Sequence, residues 1–190
     1  MRVTVDDRDL RSAFEKVRES PAFAESAALV ARGQRPVEML QAMALRPEIL
    51  SAFAATSEAI YPGGIVERRV KELIILEASR ANACQFCRDS HVSIARTLKI
   101  GLEAADGGLD PLALLDSPGA MTPRERAAVA YVRAAQRDSN RVGDDVFAAL
   151  RAVYTEAEIV ELTAMIGLIT MLNLFNNLLE VTYRGEYEAT

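Results

Sequence analysis

Both cysteines of the chain and its one histidine lie in a single short run, Cys84-Gln85-Phe86-Cys87-Arg88-Asp89-Ser90-His91. On a helix Cys84 and Cys87 are i,i+3 neighbours and Cys87 and His91 are i,i+4 neighbours, so all three side chains line one face. In a reducing compartment a Cys-x-x-Cys pair points to redox or metal chemistry before it points to a structural disulfide. The twenty residues from Glu72 to His91 therefore organise the reading of the rest.

The punctuation around that run is helical throughout. Asp9 to Ser20 is amphipathic, with Leu10, Phe14 and Val17 on one side, and Pro21 ends it. Ala22 to Arg32 is an Ala-rich second helix stopped by Gly33. Pro36 opens a third, Val37 to Leu45, and Pro47 a fourth, Glu48 to Ile60, before Pro62-Gly63-Gly64 breaks the chain. Ile65 to Ala81 leads into the motif, and Leu73-Ile74-Ile75-Leu76 is apolar almost all round, the mark of a buried helix. Asn82-Ala83 reads as the turn, with Asn82 as N-cap of a helix from Cys84 to Lys99 that ends at Gly101. Residues 101–121 form a Gly/Pro/Asp-rich connector with one short turn at Leu112 to Leu115. Thr122-Pro123-Arg124-Glu125 and Thr155-Glu156-Ala157-Glu158 are capping boxes. They open a helix to about Asp138 and a long one to about Val181, with Val146 to Tyr154 between them. No strict apolar–polar alternation marks a strand, so the expected fold is all-α.

A weak internal repeat is one further reading. A shift of 89 sets Glu72-Leu73 on Glu161-Leu162, Cys84 and Cys87 on Asn173 and Asn176, and His91 on Glu180.

The chain has 190 residues, half of them apolar, with no Trp and a net charge of −5. That balance argues against nucleic acid or an anionic membrane as partner. Met1 to Asp7 lacks the apolar core of a signal peptide, and the uncharged run between Glu161 and Glu180 contains Asn173, Asn176 and Asn177. It reads as a buried or interface helix. A cytoplasmic protein with reduced thiols is expected. The apolar surplus of the last helix, from Ile166 to Leu179, predicts a homo-oligomer.

A thiol reacts as its thiolate, and a free cysteine with pKa about 8.5 is mostly protonated at neutral pH. A helix N-terminus contributes about 0.3–1 kcal/mol to a negative charge, less than the 1.36 kcal/mol of one pKa unit. A second partner is needed, and His91 is the only imidazole. It is placed to take the Cys87 proton or to stabilise the thiolate. Glu72, on the preceding helix beside apolar residues, is the candidate to hold the imidazolium. Glu77, five residues on and about 140° around the helix, faces elsewhere. The helix dipole favours Cys84 as the more acidic thiol, whereas His91 favours Cys87.

Glu72 followed by Cys84-x-x-Cys87 and, three residues later, His91 resembles the E…CxxCxxxH signature of the alkylhydroperoxidase D-like branch of the carboxymuconolactone decarboxylase family. Arg46-Pro47-Glu48-Ile49-Leu50, Val70-Lys71-Glu72-Leu73-Ile74 and Asn173-Leu174-Phe175-Asn176-Asn177 are also similar. The likeness spans about Pro36 to Val181. It divides the chain into a helical N-terminal extension, 1–35, and an alkylhydroperoxidase D-like helical bundle, 36–190. The resemblance implies a trimer or hexamer and thiol chemistry without metal or organic cofactor. The substrate would be a hydroperoxide, and a dithiol or a partner redox protein would return the electrons. In the family's peroxidases the residue matching Cys87 becomes the sulfenic acid. The one matching Cys84 gives a proton and closes the disulfide, and those matching Glu72 and His91 relay protons. The best-known member has a further His between the cysteines, where this chain has Phe86.

Zinc is a rival, since Glu72, Cys84, Cys87 and His91 are all ligand types. Cys84 and His91 are separated by about 10.5 Å of helix rise, however, and no second Cys or His pair exists. Decarboxylase-type chemistry on a small organic acid is opposed by the two cysteines. A thioredoxin-like fold is opposed by the lack of a βαβ pattern. A binding or structural role with idle thiols is left open.

Overall fold

Every residue from Val70 to Ser79 is buried, and this helix, α5 (Arg68–Ala81), is the axis on which the computed structural model of the protein is built. The structure describes residues 1–187. α5 packs against α6 (Gln85–Thr97), α8 (Pro123–Arg137) and α10 (Glu156–Leu179). Its apolar surface faces two ways. Ile74 and Ile75 join the main core, whereas Leu73 and Leu76 join a second cluster with Ala95, Ile100, Leu114, Leu115 and Val129. A helix enclosed on two sides must be apolar around most of its circumference, which explains the unbroken Leu73–Leu76 run.

The preceding helices are α1 (Asp7–Val17), α2 (Ala24–Ala31), α3 (Glu38–Ala44) and α4 (Pro47–Ile60). α1 lays Leu10, Phe14 and Val17 against the same main cluster that holds Cys84 and Cys87. Residues 1–35 thus share one core with the rest. Pro36 lies outside α3, whose N-cap is Val37. The connector contains a two-residue antiparallel pair, β1 (Leu102–Glu103) with β2 (Leu109–Asp110). Strands this short carry too few positions for alternation to register in sequence. After them come α7 (Pro111–Leu115) and, beyond α8, α9 (Asp144–Arg151). Both capping boxes form, at Thr122 with Glu125 and at Thr155 with Glu158. The internal repeat finds no counterpart: residues 72–91 form a hairpin broken at Asn82–Cys84, whereas 156–179 is one uninterrupted helix.

α10 is long and apolar enough to cross a membrane by length and composition. Its inner face, including Ile166, Leu168 and Ile169, is buried against the bundle. Met171 and Leu178 are the members of the expected surplus that point outward, together with Val160 and Leu174; these four are 49–68% exposed. With Ala164 and Gly167 they recur at alternating four- and three-residue steps, the spacing of a coiled-coil seam. Beside the seam, Lys71 is buried and pairs with Glu161 Oε1 at 2.6 Å. The same carboxylate accepts from the Ile65 and Val66 N–H groups at 2.7 and 2.9 Å. Lys71 also donates to the Gly63 carbonyl. At Gly64, φ is +90° and a Cβ would run into the Glu161 carboxylate, so the position requires glycine. The loop between α4 and α5 is held to α10 by this cluster.

Two outcomes follow from these contacts. Light scattering should report a homo-oligomer, and a charge in mid-seam, Leu174→Glu, should convert it to monomer with helicity retained; a monomeric parent protein would refute this. Lys71→Met leaves the half-buried Glu161 carboxylate without its buried cation and should cost about 3 kcal/mol in urea unfolding. The double variant with Glu161→Leu should recover part of that loss.

Candidate functional site

The thiols are placed by the turn that ends α5. Asn82 is the C-cap of α5, and Ala83 follows with φ +51°. The Cys84 N–H donates to the Ser79 carbonyl at 2.9 Å and the Ala83 N–H to the Arg80 carbonyl at 3.3 Å. This is a Schellman motif with alanine where glycine or asparagine is favoured. The chain re-enters helix at once, with Cys84 as the N-cap of α6. The expectation that Asn82 caps α6 is therefore corrected. Its side-chain amide instead donates to Gln136 Oε1 and Asn173 Oδ1, both at 3.1 Å, tying the turn to α8 and α10.

Cys84 and Cys87 are both reduced and buried, with their sulfurs 2.9 Å apart. The Cys87 thiol beside it brings Cys84 down to about 7, helped by the Cys87 backbone N–H and Asn173 against the penalty of burial. For Cys87 the signs reverse. The neighbouring Cys84 sulfur, burial and the Cys84 charge push it well above the usual thiol range, and Asn176 and Asn173 oppose them only partly. When the pair loses its first proton, the remaining one is held on Cys87 and the negative charge falls on Cys84. Asn176 Nδ2 donates to Cys87 Sγ at 3.2 Å, while Asn176 Oδ1 is buried without a hydrogen-bond partner. The two sulfurs differ in access. Cys87 lines a cavity of about 200 Å³ between α4, α5, α6 and α10, whereas Cys84 is not part of its wall.

Glu72 has no exposed side-chain surface, and its carboxylate is satisfied from three directions. Oε2 lies 2.8 Å from His91 Nδ1. Oε1 accepts from Tyr61 Oη at 2.7 Å and from Arg68 Nε at 2.6 Å. Burial alone would raise the Glu72 carboxyl, but His91, then Arg68 and Tyr61, outweigh it and hold it below its ordinary value. Arg68 also donates to Tyr61 Oη and lies over the Tyr61 ring, 4.1 Å from its centroid. Tyr61 Oη is itself 3.3 Å from His91 Nδ1. Burial, then the Glu72 charge, lifts the Tyr61 phenol well above its usual value. Glu77 points away and pairs with Arg80 and Arg133.

Glu72, Cys84, Cys87 and His91 all come together at the α5–α6 hairpin. One expected contact differs: among the described residues no hydrogen bond joins His91 to Cys87. The imidazole turns across the hairpin to the Glu72 carboxylate, so the nearest acceptor for the Cys87 proton is the Cys84 sulfur. Among the described residues no three His, Cys, Asp or Glu side chains gather as a metal-ligand set. Arg68 and Tyr61 are absent from the sequence reading. Arg68 was detectable as the i−4 partner of Glu72 on a helix. Tyr61 lies across a loop, and nothing in its local pattern marks it.

The sequence model of the carboxymuconolactone decarboxylase family matches residues 47–134, from the start of α4 almost to the end of α8. No curated protein matches the chain in sequence. Among solved structures, a protein of unknown function from Agrobacterium tumefaciens, provisionally an antioxidant defence protein AhpD, is 29% identical, with a TM-score of 0.63 over 75% of this chain and 95% of that one. The alkylhydroperoxidase AhpD core of a peroxidase-related protein from Ralstonia eutropha JMP134 is 23% identical. It superposes with a TM-score of 0.72 over 98% of this chain and 93% of that one. The debrominase Bmp8, in complex with 2,3,4-tribromopyrrole, shares the fold at 17% identity and a TM-score of 0.64, over 94% of this chain and 87% of that one. The chain thus carries a match to the carboxymuconolactone decarboxylase family model across α4 to α8 and shares the all-helical, AhpD-like fold of these structures.

Proposed function

We propose that the chain is a thiol-dependent peroxidase in which Cys87 meets a hydroperoxide and Cys84 closes the disulfide. The observation that carries this reading is the pair of touching sulfurs, one on the cavity wall and the other not part of it. The resting proton passes from Cys87 to the Cys84 thiolate, which leaves the charge on the accessible sulfur. The Cys87 thiolate attacks the outer oxygen of R–O–OH; the O–O bond breaks, Cys87 becomes the sulfenic acid and RO⁻ departs. Cys84 returns its proton to RO⁻, giving the alcohol, and is again a thiolate. It then attacks the Cys87 sulfur and displaces hydroxide, which is neutralised by a proton from solvent relayed through the His91–Glu72 pair. A dithiol donor or partner redox protein reduces the disulfide and completes the cycle. The amide of Asn176 supports the oxidised intermediate, since its unpartnered Oδ1 is an acceptor for the S–O–H hydrogen. An organic acid as substrate is disfavoured by the cavity lining, which contains neither Arg nor Lys among the described residues and carries Glu25.

Thiolate absorbance near 240 nm should rise through a midpoint near pH 7 for one thiol of the pair, against about 8.5 for a free cysteine. Peroxide-driven disulfide formation should accordingly fall as pH drops through 7. Cys84→Ser should trap a dimedone-reactive sulfenic acid on Cys87, and Cys87→Ser should abolish labelling. Sulfenic acid on Cys84 instead would exchange the two roles. Bromide release from tribromopyrrole with no peroxide consumption would overturn the peroxidase reading altogether.

A further inference from the structure

α10 sets two buried asparagines, Asn173 and Asn176, against the thiol pair. They stand one helical turn apart, the same i,i+3 step that separates Cys84 from Cys87. The two amides are held very differently. Asn173 is committed at both ends: its Nδ2 donates to Ser79 Oγ at 3.1 Å, and its Oδ1 accepts from Asn82 Nδ2 at 3.1 Å. Asn176 is committed to sulfur alone. Its Nδ2 donates to Cys87 Sγ at 3.2 Å and to Met39 Sδ at 3.5 Å, while its Oδ1 is buried with no donor at all.

As a structural device this is poor. A thiol and a thioether are weak acceptors, and a buried oxygen without a donor is unfavourable to the folded chain. The arrangement becomes useful when the sulfur carries charge. A hydrogen bond to an ionised acceptor is roughly twice as strong as one to a neutral acceptor, and burial strengthens it further. The titratable groups nearby do not supply that support to Cys87. Cys84 is in contact with it but becomes negative first. On α5, α6 and the loop before them, Glu72, Arg68, His91 and Tyr61 are bonded to one another. Glu25, which shares the cavity lining, is an anion. The charged residues of α10 lie in its first two turns, at Glu156, Glu158 and Glu161. Asn176 and, after it, Asn173 are the groups that oppose the rise of the Cys87 thiol.

We infer that Asn176 is the residue that makes the cavity-facing thiol a usable nucleophile: its amide N–H donates to the Cys87 sulfur and holds negative charge there when the thiol ionises. The role belongs to the reduced protein and precedes any encounter with an oxidant. It therefore stands apart from the peroxidase reading, which draws on the carbonyl end of the same amide. Asn173 has a different task, since its amide ties α10 to the turn through Asn82 and Ser79.

The test lets Cys87 ionise alone. In full-length Cys84→Ser protein, the rate of Cys87 alkylation by iodoacetamide, a small neutral reagent, is followed by mass spectrometry across the thiol range. Asn176→Leu, of similar size but with no donor, should raise the midpoint by about one pH unit, a roughly tenfold slower reaction at any pH below it. Asn176→Asp, of the same shape but with acceptor oxygens and a like charge, should raise it further. Because the unpartnered Oδ1 is removed as well, Asn176→Leu should keep or exceed the parent melting temperature. Asn173→Leu should do the reverse, lowering the melting temperature and moving the midpoint less. An unmoved midpoint in the Asn176 variants would overturn the inference. So would a larger midpoint shift from Asn173→Leu, or loss of the fold in Asn176→Leu, which would make the amide a structural part. Peroxide consumption by the unaltered protein is scored separately. A shifted midpoint with no peroxide consumed would overturn the peroxidase reading and leave the role of Asn176 in place, and peroxide consumption with an unmoved midpoint would do the opposite.

Discussion

The Glu72 carboxylate is a charge enclosed in a helical core, and much of the surrounding architecture is a response to that fact. Removing an ion of this kind from water costs several kcal/mol unless it is paired and hydrogen-bonded. Its partners come from three places: Arg68 one turn earlier on α5, His91 across the hairpin on α6, and Tyr61 from the start of the α4–α5 loop. Each must be held where the charge needs it. α5 and α6 are fixed by the two apolar clusters, and the loop is fixed by Glu161 and Lys71. A buried carboxylate thus places demands on residues that never approach the thiols.

The thiols follow a different logic. Neither has a cation in hydrogen-bond contact among the described residues, so the negative charge on Cys84 is stabilised by the neighbouring thiol, then by the Cys87 backbone N–H and by Asn173 of α10. Buried sulfurs sharing a proton can transfer charge between them without solvent reorganisation, because neither is hydrated at the start. Access and acidity are consequently divided between the two cysteines. The more acidic one is absent from the cavity wall, and the one on the wall is the less acidic.

Most of the helical frame was legible in the sequence because its signals are local. The two capping boxes, the prolines at α4 and α8, and the apolar run of α5 all have the structural counterparts their chemistry demands. The four polar residues of the hairpin were legible for the same reason, as their spacing is a property of one helix and its neighbour. What escaped was non-local. Asn82 has the right residue type for an N-cap, but tertiary hydrogen bonds to Gln136 and Asn173 claim its side chain. Tyr61 joins the site across a loop, and the lining of the cavity beside Cys87 draws on Phe23 and Tyr187 from near the two ends of the chain. The outward seam of α10 was masked by its inner face, since both are apolar and only packing separates them.

Glu161 has one further consequence. It lies next to Val160, the first outward residue of the α10 seam, yet its carboxylate grips the backbone of Ile65 and Val66 in the loop that carries Tyr61. A half-buried side chain next to an external surface thereby also holds the loop whose first residue, Tyr61, donates to Glu72. A rotation of α10 about its own axis would therefore act through Glu161 on the loop that begins at Tyr61. The outer surface and the buried chemistry share a single mechanical part.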